Sequence, residues 1–317
     1  MITYENVTKR YGGRTVVDDV TFTAPAGAVT AFLGPNGAGK STSMRILAGL
    51  SRADSGAALV NGQTVTQLPN PGRVVGLMLD ASALHRGRTC AESVQMAAAA
   101  TGVGTQRARD ALDAVGLGAA AGIRVAACSL GMRQRLGLAV ALVGRPRALV
   151  LDEPFNGLDP EAIHDLRSVL RDFAAAGGAV LLSSHLLGEV QSVADRLVVL
   201  RAGTVVANGS AADLTAAGRT RVRAERSGDL QQALTGDGLE VTADDGDWLT
   251  VAAPPGQVGH LALAAGIALT GLEERRTDLT DLFLTLTSGD SAHDARSTHD
   301  ATDDTETDPN HDTARAA

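Results

Sequence analysis

With 317 residues, 44% hydrophobic and 20% charged, the chain is long enough for one large domain plus a smaller one, and its composition excludes a disordered, collagenous or membrane-embedded polypeptide. The formal net charge of −8 is unevenly placed: residues 288–317 hold eight acids against two arginines, so the remaining 287 residues sum to −2 and carry no electrostatic footprint for non-specific nucleic-acid binding. No apolar run reaches the roughly 18–20 residues that cross a bilayer, and the first residues lack the basic and apolar regions of a signal peptide, which predicts a cytoplasmic protein.

Two short strands are expected at Ile2 to Thr8 and Thr15 to Thr23, joined by a turn at Gly12-Gly13. Val29 to Leu33 reads as a short apolar strand, followed by a glycine-rich loop and a helix from Lys40 that stops at Gly49. Residues 90–145 are rich in Ala, Leu and Arg with helical spacing, as in Ala108, Ala111, Leu112 and Val115, and predict a helical subdomain over about 85–145. From there strands at Ala148 to Leu151, Ala179 to Ser183 and Arg196 to Leu200 alternate with helices at Pro160 to Ala176 and Leu186 to Ala194, the wiring of a largely parallel sheet. A short helix, Ala211 to Ala217, ends at Gly218. Residues 219–287 then run strand, helix, strand, strand, helix, strand and a last helix, which suits a small ferredoxin-like α+β domain. The tail from Ser288 has almost no large apolar residues and is expected to be disordered. Cys90 and Cys128 lack metal-ligand spacing and are expected to be free thiols.

Gly34-Pro35-Asn36-Gly37-Ala38-Gly39-Lys40-Ser41-Thr42 matches the phosphate-loop pattern and sits between an expected strand and an expected helix, as its mechanism requires. Its glycines let successive backbone N–H groups point inward at a helix N-terminus, Lys40 is placed for the β- and γ-phosphates, and Ser41 offers a hydroxyl to Mg²⁺. Only 2 of the 28 basic residues are lysines, Lys9 and Lys40, and the guanine-reading Asn-Lys-x-Asp motif is missing. Downstream, Ala148-Leu-Val-Leu-Asp152-Glu153 is an apolar strand ending in two adjacent acids. Strand geometry turns neighbouring side chains opposite ways, which suggests Asp152 for Mg²⁺ and Glu153 as general base.

Together these motifs resemble the ATP-binding cassette of ABC transporters. Cys128-Ser129-Leu130-Gly131-Met132, followed by Arg133-Gln134-Arg135, is similar to the family's signature, with Ser129 and Gly131 retained; Ser129 is also a good N-cap for the apolar helix that follows. Asn156-Gly157-Leu158-Asp159-Pro160 resembles the D-loop, His185 resembles the switch histidine at the γ-phosphate, and Tyr11 matches the aromatic that stacks on adenine. Asp80 occupies the place of the family's Q-loop glutamine, where it would reach Mg²⁺ through water; acids there, with Ser-x-Gly-Met-[Arg/Lys]-Gln-Arg signatures, occur in relatives resembling antibiotic-resistance and drug-export ATPases.

The resemblance covers residues 1–218 and implies an α/β phosphate-loop cassette: a RecA-like core with an antiparallel β subdomain and a helical subdomain. It further implies an ATPase that takes Mg-ATP and pairs with a second cassette as a homodimer. Such a subunit would power a separate integral-membrane permease from the inner face of the cell membrane, with drug or antibiotic export as the leading direction and no nucleic-acid partner. An importer subunit, or a soluble ATPase acting on ribosomes or DNA, are the alternatives.

Overall fold

A computed structural model describes residues 1–185, 187–215, 219–275 and 279–287. The N-terminal strands β1 (Ile2–Tyr11) and β2 (Arg14–Ala24) lead into β3 (Ala28–Leu33), helix α1 (Lys40–Leu47), β4 (Ser55–Val60) and β5 (Val75–Met78). Helices α2 (Cys90–Thr101), α3 (Thr105–Ala114) and α4 (Leu130–Leu142) follow, then β6 (Ala148–Leu151), α5 (Pro160–Ala175), β7 (Ala179–Ser184), α6 (Leu187–Gln191), β8 (Arg196–Arg201), β9 (Thr204–Ser210) and α7 (Ala211–Thr215). The last section comprises β10 (Arg219–Ala224), α8 (Ser227–Gly236), β11 (Val241–Ala243), β12 (Trp248–Val251), α9 (Pro255–Ala264), β13 (Leu269–Arg275) and α10 (Leu279–Thr287). The expected helices at 186–194 and 211–217 extend in part to Leu186, Ala216 and Ala217, and the tail expected to be disordered is 288–317; these lie outside the described residues.

A six-stranded sheet in the order β5-β6-β7-β3-β8-β9 forms the centre, parallel except for β9. Its inner strands are mostly apolar because both faces are covered, whereas the edge strand β9 is nowhere fully buried. The pleat sorts them: Val29, Leu33, Leu149, Leu151, Val180, Leu182, Leu197 and Val199 enter the core shared with α2 to α5. Phe32, Val150, Leu181, Val198 and Leu200 enter the opposite core, under β1, β2, β4 and α1. In that second core Tyr4, Phe22 and Phe32 bring one ring from each of β1, β2 and β3 together, with Tyr4 stacked on Phe22 at 4.5 Å and Phe22 lying 5.2 Å from Phe32. The buried Tyr4 hydroxyl donates to the Ser43 carbonyl at 3.1 Å, fastening the antiparallel sheet to α1.

Four antiparallel strands in the order β11-β12-β10-β13 form the third sheet, the strand order of a split βαβ fold, with α8 and α9 packed on one side around Val222, Leu230, Leu249 and Val258. The final helix departs from the expected grouping. Leu279, Leu282, Phe283 and Leu286 recur at helical spacing, and this stripe joins the core of the large sheet, with the Leu286 carbonyl accepting from Arg201 at 3.1 Å.

Both cysteines are free and buried, and the fold brings their sulfurs within 3.6 Å, one at the start of α2 and the other just before α4. Burial, with the neighbouring thiol adding to it, pushes Cys90 up to about 11. Because Phe32 is fully buried between two sheets, Phe32→Ala is expected to cost about 3–5 kcal/mol, measured as a lower midpoint in denaturant unfolding with the slope unchanged.

Candidate functional site

The loop after β3 is shaped by close main-chain approaches. A Cβ on Gly34 would lie 2.4 Å from the Leu200 carbonyl oxygen, and one on Gly39, whose φ is +105°, would lie 2.5 Å from that of Val16. Only glycine fits either place. Gly39 is the N-cap of α1 and makes no side-chain cap, so the helix's first N–H groups face the loop rather than a capping oxygen. That arrangement is a positive helix end lined by amides, suited to an anion.

Lys40 is only 6% exposed; its ammonium donates to the Gly34 carbonyl at 2.6 Å and the Pro35 carbonyl at 3.2 Å, curled back onto its own loop. Burial lowers its pKa, opposed by the charges of Glu153 and then Asp152, which places both carboxylates near the ammonium. Among the neighbouring loop residues, Pro35, Asn36, Gly37 and Ser41 are exposed, Ala38 is buried and Thr42 is partly buried.

Beyond β6 the two acids are separated by a turn, not by the pleat. The strand ends at Leu151, and Glu153 takes a left-handed φ of +49°, rare for a side chain with a Cβ. Ser183, fully buried at the end of β7, holds this turn: its hydroxyl accepts from the Glu153 N–H at 2.9 Å and donates to Asp152 Oδ1. The Glu153 carboxylate meets His185, with Oε2 2.7 Å from Nδ1. The Asp152 N–H donates to the Met78 carbonyl at 2.7 Å, so the end of β5, with Asp80 two residues beyond, lies beside this cluster. Ser183 was missed by sequence reasoning; the one legible sign is the hydroxyl pair Ser183-Ser184 closing an otherwise apolar strand.

The other expected residues fall elsewhere. Ser129 caps α4, its hydroxyl accepting from the Met132 N–H at 3.2 Å, and a Cβ on Gly131 would lie 3.3 Å from the Gly157 carbonyl. The signature turn thus packs on the 156–160 loop, and among the described residues no hydrogen bond or ion pair joins it to residues 34–42. Asp159 is the N-cap of α5, its Oδ1 accepting from Ala162 at 2.8 Å. Tyr11 ends β1 half exposed, its hydroxyl 3.0 Å from Ser51 Oγ.

An ABC transporter family model matches residues 17–156, and a second model, of a domain of unknown function, matches residues 218–279. The lantibiotic transport ATP-binding protein SrtF of Streptococcus pyogenes is 36% identical over 206 residues, covering 65% of this chain and 89% of that protein. The daunorubicin/doxorubicin resistance ATP-binding protein DrrA of Streptomyces peucetius is 35% identical over 314 residues, 93% of this chain and 94% of that protein. Among solved structures, an ATP-binding subunit of an ABC transporter superposes with a TM-score of 0.63 at 30% identity, covering 68% of this chain and 91% of that one.

Two outcomes follow from the geometry. Ser183→Ala leaves the Glu153 N–H and the Asp152 carboxylate without their shared hydroxyl and is expected to cost about 1–3 kcal/mol in denaturant unfolding. For Lys40 the native pKa lies below the ordinary lysine value, so between the two the unfolded chain binds more protons and stability rises with pH. Unfolding at a series of alkaline pH values is expected to show that rise in the wild type and a smaller one in Lys40→Met.

Proposed function

The chain belongs to the ABC transporter family as one of its ATP-binding, ATP-hydrolysing subunits, and from that premise we propose that it drives a separate integral-membrane permease that exports drugs or antibiotics. The observation that carries the reading is the cluster in which the buried Lys40, the helix end of α1, and the carboxylates of Asp152 and Glu153 converge. In this reading the amides of residues 34–42 hold the phosphates, and Lys40 leaves the Gly34 and Pro35 carbonyls for the β- and γ-phosphates. Glu153, oriented by Ser183 through its N–H and by His185 at its carboxylate, takes the proton of the attacking water, and His185 keeps contact with the γ-phosphate. Tyr11 stacks on the adenine.

The donors at hand suit Mg²⁺: one hydroxyl, Ser41, and one carboxylate, Asp152, are hard oxygens too few to enclose a metal, as expected for an ion that takes the rest of its shell from phosphates and water. Asp80, two residues beyond β5, would contribute through water. Bound there, Mg²⁺ would neutralise phosphate charge.

Leu130 and Gly131 pack on the Gly157 loop of their own chain, with Asp159 two residues further on as the cap of α5; in this reading Ser129 and Gly131 serve a phosphate on a second copy. This supports a face-to-face homodimer with two shared sites. Among the described residues no helix is long and apolar enough to cross a membrane, which fits a subunit peripheral on the inner face of the cell membrane. The export direction rests on relatives named for lantibiotic transport, for daunorubicin resistance and, at 38% identity over 209 residues in Sinorhizobium fredii, for Nod factor export.

Glu153→Gln is expected to lower kcat for ATP by about 100-fold or more while ATP still binds; hydrolysis at the wild-type rate overturns the assignment. Where a multispanning membrane protein is encoded beside it, co-expression is expected to bring the chain into the membrane fraction. Recovery in the soluble fraction alone would count against a permease partner.

A further inference from the structure

We propose that Lys9 is a positioning residue for the nucleotide base, holding the Tyr11 ring in place for stacking; this rests on the reading of Tyr11 as the base contact. Lys9 and Tyr11 stand two residues apart on β1, across an irregularity in its pairing with β2. The Lys9 ammonium lies 5.1 Å from the centroid of the Tyr11 ring and 2.9 Å from Asp54 Oδ1. Asp54 is itself fixed to the strand: its N–H donates to the Thr8 carbonyl at 2.8 Å, and its Oδ2 accepts from the Arg10 N–H at 2.6 Å. A carboxylate anchored by main chain on both sides therefore fixes the ammonium, and the ammonium fixes the ring.

Tyr11 is held a second time at its far end, where the hydroxyl meets Ser51. Yet 50% of the residue stays exposed beside the open Gly12-Gly13 turn, so an aromatic surface is presented to solvent without the freedom to swing. A surface ion pair alone contributes little. Here the pair has a second consequence: the rotamer freedom of Tyr11 is given up before a base arrives, so stacking does not bear that cost. Lys9 is largely covered, 14% exposed at its side chain, so the ammonium is partly desolvated where it faces the ring.

The test is nucleotide kinetics on the full chain. Lys9→Met keeps the stem and removes the charge; it is expected to raise KM for ATP by about two- to fivefold with kcat unchanged, and Lys9→Arg to restore the wild-type KM. Inhibition by inorganic tripolyphosphate, which has no base, is expected to be the same in wild type and Lys9→Met. An unchanged KM in Lys9→Met, weakened tripolyphosphate inhibition, or a matching loss in kcat and thermal stability each overturns the proposal. Tyr11→Ala separates the two levels: if it raises KM while Lys9→Met does not, the positioning role falls and the base contact stands. If Tyr11→Ala leaves KM unchanged, the reading of Tyr11 falls and the proposal with it.

Discussion

Everything in the cassette converges on one spot where three lengths of main chain touch with no side chain between them. Gly34 lies against the Leu200 carbonyl and Gly39 against that of Val16; Gly203 donates to the Ala38 carbonyl and accepts from the Asp18 N–H. These approaches bind the phosphate loop to β2, in the antiparallel sheet, and to the turn between β8 and β9, in the central one. The loop's shape is therefore a property of two sheets rather than of its own nine residues. The aromatic trio of Tyr4, Phe22 and Phe32 keeps those sheets at the spacing the contact needs, and the Tyr4 hydroxyl reaches α1 itself.

The acidic cluster is assembled by the same logic from different materials. Adjacent strands β6 and β7 end side by side, and the Ser183 hydroxyl spans the gap, gripping Asp152 by its carboxylate and Glu153 by its backbone. A left-handed residue is costly to hold, and the surroundings over-determine it here through a buried hydroxyl and a histidine contact. A carboxylate fixed in this way is electrostatically preorganised for the chemistry proposed above.

Most of this could be read from the sequence because the relevant signals are local. Glycine spacing announces a loop whose backbone must come close to something, and uninterrupted apolar strands announce a sheet covered on both faces. What could not be read is identity across distance. Gly34 and Gly39 do not say which carbonyls they approach, and Asp152-Glu153 looks like two pleated neighbours when a turn in fact separates them. The apolar stripe Leu279, Leu282, Phe283 and Leu286 likewise declares a buried face without naming what buries it, and adjacency in the chain suggested the wrong neighbour. Asp54 is similar: only the pairing of β1 with β4 brings it beside Lys9.

The docking of α10 alters what the third sheet is. The chain leaves the large core after α7, builds β10 to β13 with α8 and α9, and returns to bury Leu279 among the same residues it left. Topologically the small sheet is an insertion rather than an appendix. Cutting the gene after residue 215 would strip a helix from the large core as well as removing the sheet, whereas a short linker from α7 to α10 would delete the sheet alone. Sequence change in this region is thus constrained at both junctions by the large core, and between them by the small sheet's own core of Val222, Leu230, Leu249 and Val258, two packing demands that meet only where the chain crosses from one to the other.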